Sequence, residues 1–274
     1  MSDDPTFRRE GDLVLFRQYG PKLALDDAVP NTDYFAWLDE ITDTIGDHIP
    51  GAEIREKEND RIEPRRNTGV YYDTTDLQLL HGHMVLRTTS NPKTHAFCAF
   101  KYGLDQNDVR RDHRYIFDGD RKRTIQLQPT SPAAAAVVHE LLARTDIQHP
   151  GTFLAQATGI RGDQLEPALC VAQYRYTFYV LLDGQDALRC SLDRADVENL
   201  RQPAGVRDRG TFSEIELPIY PRIEPSVLAD PRTRALMDLL SGALAARFQA
   251  RPVADSKYRR AARVLTIGQL NNIE

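Results

Sequence analysis

Cysteine is scarce: Cys98, Cys170 and Cys190 are the three in 274 residues, far apart and without a Cys-x-x-Cys pair. That excludes a disulfide framework and a cysteine-built zinc site, and leaves core thiols in a reducing compartment. No apolar run approaches the length of a membrane span, and Met1–Glu10 is too polar and acidic for a secretory leader. The expected location is the cytoplasm, with no membrane partner. A basic excess is also missing; the formal net charge is -5, which argues against a nucleic-acid coat. There is no glycine-rich phosphate loop and no Gly-x-Ser-x-Gly elbow. The seven histidines are scattered, and the one close pair, His81-Gly82-His83, reads as a turn rather than a metal site. With no internal repeat or low-complexity linker, residues 1–274 are expected to form one domain.

What is present is ordinary for a soluble chain with a core, 41% hydrophobic and 27% charged. Leu13–Phe16 and Leu23–Leu25 read as a first strand interrupted or bulged at Gly20-Pro21, since proline cannot donate to a ladder. A helix is expected from Asn31 or Thr32 to about Ile49, where Tyr34, Leu38, Ile41 and Ile45 fall at helical spacing. The charged stretch Glu53–Arg66 is a strand edge or a loop. Thr68–Asp73, His83–Thr89, Ala96–Tyr102 and Arg110–Phe117 form an antiparallel meander. Helices follow at Pro132–Arg144 and Pro150–Gly159. Strands return at Cys170–Leu182, Ala187–Asp193 and Thr211–Leu217, with Asp183-Gly184 as a hairpin turn. Pro231–Phe248 and a helix from about Lys257 complete the pattern. The fold class is α+β.

The two-residue period of a strand sorts these segments into faces. Glu214 and Glu216 share one face while Ile215 and Leu217 share the other. Two stacked carboxylates repel unless a cation sits among them, either a divalent metal or a set of Arg and Lys. The other strands supply such cations. Arg87 lies with Val85 and Thr89, Lys101 with Ala99, Arg110 and Arg114 with Asp112, Arg175 with Gln173 and Thr177, and Arg189 with Ser191 and Asp193. Arg111 falls on the mixed face of its strand. An open antiparallel sheet with one wet face would also show polar alternation. Here, however, Arg dominates the strand centres, and the strands outnumber the helices available to cover an open sheet. A closed antiparallel β-barrel of about eight strands with flanking helices would turn the polar face inward and enclose a ligand. An Arg-rich lumen calls for an anion.

Val70-Tyr-Tyr-Asp-Thr-Thr-Asp76 with Leu79, then Leu86-Arg87, Phe100-Lys101 and Arg110-Arg111-Asp112-His113-Arg114, occur in the order of the CYTH proteins, the triphosphate tunnel metalloenzymes. Tyr174-Arg175, Leu192-Asp193, Glu214-Ile215-Glu216 and Ser256-Lys257-Tyr258 continue the series. The chain resembles that family from roughly Lys22 to Tyr258, and its last motif is similar to one in the related polyphosphate-polymerase domains. The resemblance implies a barrel whose basic side chains hold a linear triphosphate, with Mg²⁺ or Mn²⁺ on glutamates. Carried over by position, Arg87, Lys101, Arg110, Arg111, Arg114, Arg175, Arg189 and Lys257 would bind phosphates. Asp193, Glu214 and Glu216 would hold metal, and Glu214, Glu216 and Lys22 would serve catalysis. The implied activity is hydrolysis of inorganic, nucleoside or thiamine triphosphate or of short polyphosphate. The alternatives are a non-catalytic triphosphate-binding module and a polyphosphate-polymerase-like phosphotransferase. The expected partner is that small molecule, with a homodimer as an option. One departure stands out. The family opens on Glu-x-Glu-x-Lys, and the matching Gln18-Tyr19-Gly20-Pro21-Lys22 keeps the lysine and lacks both acids.

Overall fold

A computed structural model describes residues 13–17, 20–26, 28–104 and 109–269. In chain order the strands are β1 (Leu13–Arg17), β2 (Lys22–Leu25), β3 (Ala52–Glu56), β4 (Arg65–Asp73), β5 (Val85–Ser90), β6 (Ala96–Leu104) and β7 (Val109–Ile116). They continue as β8 (Glu166–Leu182), β9 (Gln185–Asn199), β10 (Arg209–Glu216) and β11 (Arg251–Pro252). The helices are α1 (Asn31–His48), α2 (Gln78–His81), α3 (Gly119–Leu127) and α4 (Pro132–Leu142), then α5 (Pro150–Thr158), α6 (Pro225–Ala229), α7 (Pro231–Phe248) and α8 (Lys257–Val264). The α+β class and the meander are as expected.

All eleven strands belong to one antiparallel sheet, ordered β1-β7-β6-β5-β4-β8-β9-β10-β2-β11, with β3 beside the far half of β8. The first strand, expected to be interrupted or bulged at Gly20-Pro21, is two separate strands. β1 pairs with β7, and β2 pairs with β10 and β11, near opposite ends of the path. Four residues separate β1 from β2 in sequence, a reach of at most about 20 Å, so the sheet is bent round toward itself. Among the described residues no backbone pairing joins β1 to β2 or β11, and closure by hydrogen bonding is not seen.

Alternation decides what each face does. On the outer face Phe178, Val180, Leu188, Cys190, Leu192, Ile215 and Leu217 pack against α1 and α7. Further round, Val70, Tyr72, Leu86, Cys98, Phe100 and Tyr115 pack against α2, α4 and α5. Each fully buried side chain of this kind is worth about 1.5–3 kcal/mol. The inner face is apolar at one end only, where Tyr71, Val85, Val171, Ala195, Val197 and Phe212 receive Tyr258, Ala261 and Ala262 of α8. Helix α8 therefore lies against the concave side of the sheet at that end.

Local chemistry explains the turns. Asp183 and Gly184 both have positive φ, 50° and 77°, as the mirror-image hairpin turn between β8 and β9 requires. His83 has φ 55° after the Gly82 cap of α2, so the His81-Gly82-His83 segment is a turn, as read. α3 escapes the pattern because Ile125 is its one buried residue, so it carries no apolar stripe. The three cysteines are buried and unbonded, and no described helix is long and apolar enough to cross a membrane.

Candidate functional site

The inner face of β2, β4–β10 and the start of α8 surround one cavity of about 1530 Å³. Cross-strand register sets its chemistry. Arg175 of β8 lies opposite Asp193 of β9, which lies opposite Glu214 of β10. On the facing wall Arg87 of β5 lies opposite Ala99 and Ala99 opposite Arg114, while Lys101 lies opposite Asp112. Of the residues singled out in the sequence, Lys22, Arg87, Lys101, Arg114, Arg175, Arg189, Glu216 and Lys257 line the cavity. Asp193 and Glu214 are fully buried in its wall. Arg110 and Arg111 sit on β7, but their side chains lie outside the described residues.

The acids form one focus. Asp193, Glu214 and Glu216 each present an oxygen within 4.8 Å of the others. At that focus stands Lys257, whose Nζ reaches Asp193 Oδ2 and Glu216 Oε1 at 2.9 Å each and also contacts Glu214 Oε1. Arg175 grips Asp193 with two parallel bonds of 2.7 and 2.6 Å, and its Nη2 also reaches Glu216 Oε2 at 2.8 Å. Arg260, one turn beyond Lys257, donates to Glu214 Oε2 at 2.8 Å. Three carboxylates thus meet three cations. Burial opposes ionisation of Asp193, but Arg175 and Lys257 hold its carboxyl below the usual range. Glu216 is likewise driven well below it, against burial, by Lys257, Arg175 and Lys22. The same acids raise the Lys257 ammonium although burial works the other way.

The resemblance assigns Mg²⁺ or Mn²⁺ to these three carboxylates. As a donor set, three hard oxygens suit such an ion. As arranged they do not fit it, because all six carboxylate oxygens are engaged by Lys257, Arg175 or Arg260. The missing first-strand acids do not relieve this. Gly20, where the second would stand, has φ +131°, and a Cβ there would lie 2.3 Å from the Leu217 carbonyl oxygen. Backbone geometry at the end of β10 thus excludes any side chain at that position. Lys22, next along, faces Glu216 in register and donates from Nζ to the Asp255 carbonyl at 3.4 Å.

A second, smaller focus lies across the cavity. Asp112, fully buried, accepts from Lys101 at 2.9 Å and from Arg114 at 2.6 Å, while its Oδ1 has no hydrogen-bond partner. Burial would raise the Asp112 carboxyl, yet Lys101 and Arg114 bring it to about 2. Burial pulls the Lys101 ammonium down to about 8, with Asp112 resisting and Arg87 and Arg114 adding to the fall. Between the two foci Arg87 makes no hydrogen bond or ion pair to a carboxylate among the described residues, although Asp112 lies near enough to favour its charge. Its Nη1 donates to Tyr71 Oη at 3.0 Å, its guanidinium lies over the Tyr71 ring, and its Nε is buried without a partner. Arg189 makes no side-chain ion pair among the described residues either.

Sequence reasoning missed Arg260 and gave Tyr71, Asp73 and Tyr258 no contact role, although all three fall within the quoted motifs. Arg260 lies three residues after Lys257, so helical spacing places both on one face. Asp73, fully buried, accepts from the backbone N–H groups of Thr74, Leu79 and Leu80, and Tyr258 Oη donates to it at 2.7 Å. Tyr258 also stacks on Tyr71, centroids 5.0 Å apart. This anchor holds α8, and with it Lys257, against the acids. Tyr258→Phe is expected to lower the unfolding free energy by about 1.5–3 kcal/mol, the worth of a hydrogen bond to a charged group. Urea unfolding measures it, and an unchanged midpoint would contradict the anchor.

No protein-family model matches this sequence, and no curated protein matches it. Among solved structures, the chain is similar to a Hippeastrum protein named for adenylyl cyclase and described as having a dominant triphosphatase activity. That likeness has 15% identity over 88% of this chain and 94% of the other, with a TM-score of 0.47. It is also similar to a candidate adenylate cyclase from Bacillus halodurans, at 12% identity over 89% and 98% of the two chains with a TM-score of 0.49. A candidate adenylate cyclase from Vibrio parahaemolyticus gives 14% identity over 90% and 99%, with a TM-score of 0.42.

Proposed function

We propose that the cavity binds a linear triphosphate or short polyphosphate and that the chain acts on it as a phosphohydrolase. The observation that carries this reading is Arg87, a cation on the cavity wall that touches no carboxylate among the described residues and whose buried Nε has no acceptor. Such a group is costly unless an anion completes it. Arg189, also without an ion pair among the described residues, adds a second cation, and Lys101 and Arg114 of the facing wall line the same cavity. A bent, negatively charged chain of phosphates matches cations spread along a bore better than a compact monoanion does. The ordered resemblance to triphosphate tunnel proteins points the same way and supports the closed, tunnel-like form of the sheet. Phosphate release from tripolyphosphate and from ATP tests the reading, with Glu216→Gln as the comparison. Background release by the wild type, together with no tripolyphosphate binding, would end it.

The second reading, a binding module without turnover, is favoured by the closed state of the acidic focus. It predicts tripolyphosphate binding with no released phosphate.

Lys101 gives the cavity a pH dependence. With its ammonium near 8, the charged fraction falls from about nine-tenths at pH 7 to about one-tenth at pH 9. Tripolyphosphate affinity is therefore expected to weaken by roughly fivefold across that interval, about 1 kcal/mol. Lys101→Arg stays charged throughout, so the ratio of wild-type to variant affinity isolates this group from titration of the ligand. A ratio constant with pH would show that Lys101 does not meet the anion.

A further inference from the structure

We infer that Lys257 is the resident counter-cation of the acidic focus, and that the polyphosphate site is complete without a divalent metal. The inference rests on reading the cavity as a triphosphate site and departs from the metal that the family resemblance implies.

Three observations carry it. First, the ammonium touches all three carboxylates, and Arg175 and Arg260 engage the oxygens that remain. Six donor atoms that could face a metal already face protein cations. Second, Lys257 is held in place. It opens α8 just after the Ser256 cap, and the next residue, Tyr258, is hydrogen-bonded to Asp73 and stacked on Tyr71. The ammonium is thus positioned by a packed helix and not by a loose tether. A divalent ion could enter only by expelling a charge that makes three ion pairs in a largely dehydrated site. Third, the means of outcompeting it is absent from the backbone up. A fourth carboxylate at Gly20 is barred by its φ of +131° and by the Leu217 carbonyl 2.3 Å from any Cβ.

Charge counting agrees. Lys257, Arg175 and Arg260 balance Asp193, Glu214 and Glu216, so that side of the cavity needs no added cation. The cations left over, Arg87 and Arg189, stay available to phosphate oxygens without metal bridging.

The test uses the whole chain and tripolyphosphate as the probe. Titration calorimetry in EDTA and in millimolar Mg²⁺ should give dissociation constants within about threefold of each other. Mn²⁺ titrated into the wild-type protein without phosphate, followed by electron paramagnetic resonance, should show no bound ion. Lys257→Met should gain Mn²⁺ binding, because it vacates the centre of three carboxylates, whereas Lys257→Arg should not. A tenfold or greater loss of tripolyphosphate affinity in EDTA, or Mn²⁺ bound by the wild type alone, would overturn the inference and leave the cavity's reading as a phosphate site intact. No tripolyphosphate binding under either condition would remove both. Should Lys257→Met fail to fold, the two wild-type measurements decide.

Discussion

Replacing Arg175 by Met is expected to destabilise the protein by about 3–5 kcal/mol at neutral pH, the cost of leaving a buried charge without its partner. Arg175 makes the two shorter of the three bonds to Asp193, which is fully buried, and a further one to Glu216. Without it, Asp193 would keep Lys257 alone, Glu216 would keep Lys257 and the nearby Lys22, and Glu214 would still be shared by Lys257 and Arg260. The loss should depend on pH in a definite sense. Asp193 and Glu216 are held below the ordinary carboxylate range in the folded protein. Their contribution is present above the unfolded-state value near 4 and is lost as pH falls through the lower folded value. The difference between wild type and Arg175→Met should therefore be full at pH 7 and shrink as the solution is taken below about pH 4. Urea unfolding at several pH values reads both the size and the trend. A difference under about 1 kcal/mol at pH 7 would mean that the pair is solvated like a surface salt bridge.

That result would also bear on what the sequence could and could not disclose. Period-two alternation placed Glu214 and Glu216 on one face and Ile215 and Leu217 on the other, and Ile215 and Leu217 are fully buried in the outer core. The same rule put Arg87, Lys101, Arg114, Arg175 and Arg189 toward one cavity. Alternation reports a face, however, and not a neighbour. Whether an inward Arg meets phosphate or a carboxylate depends on cross-strand register between segments far apart in sequence, and that register put Arg175 beside Asp193. Lys257 shows the limit most clearly. The resemblance assigned it to phosphate, and the structure gives its ion pairs to three acids. Asp112 was legible on the same face as Arg114, but its role as the shared acid of Lys101 and Arg114 needed the β6–β7 pairing. The loss of the first-strand acids was visible as letters. Its cause, a glycine backbone pressed against Leu217, was visible only in three dimensions.

Arg87→Met should separate binding from stability in the opposite sense to Arg175→Met. Arg87 has a tyrosine hydroxyl and a tyrosine ring for company and no carboxylate, so its removal strands no buried acid. Burial disfavours its charge in the folded protein, and Tyr71 and the more distant Asp112 offset that; Met of similar length carries neither the cost nor the compensation. The lost bond to Tyr71 costs roughly 0.5–1.5 kcal/mol, and relief of the desolvated charge offsets it. Unfolding free energy is therefore expected to stay within about 1 kcal/mol of the wild type. Tripolyphosphate affinity, by contrast, should fall by at least about 2 kcal/mol, some thirtyfold, because a charge-assisted contact to phosphate is lost at a partly enclosed site. Calorimetric titration and urea unfolding of the same protein samples supply both numbers. A variant that binds as tightly as the wild type would show that the unpaired guanidinium does not meet the anion, and with it the observation that carries the proposed function would fail. A variant that binds weakly and is also destabilised by several kcal/mol would place Arg87 in the scaffold with Arg175, holding the wall rather than the ligand.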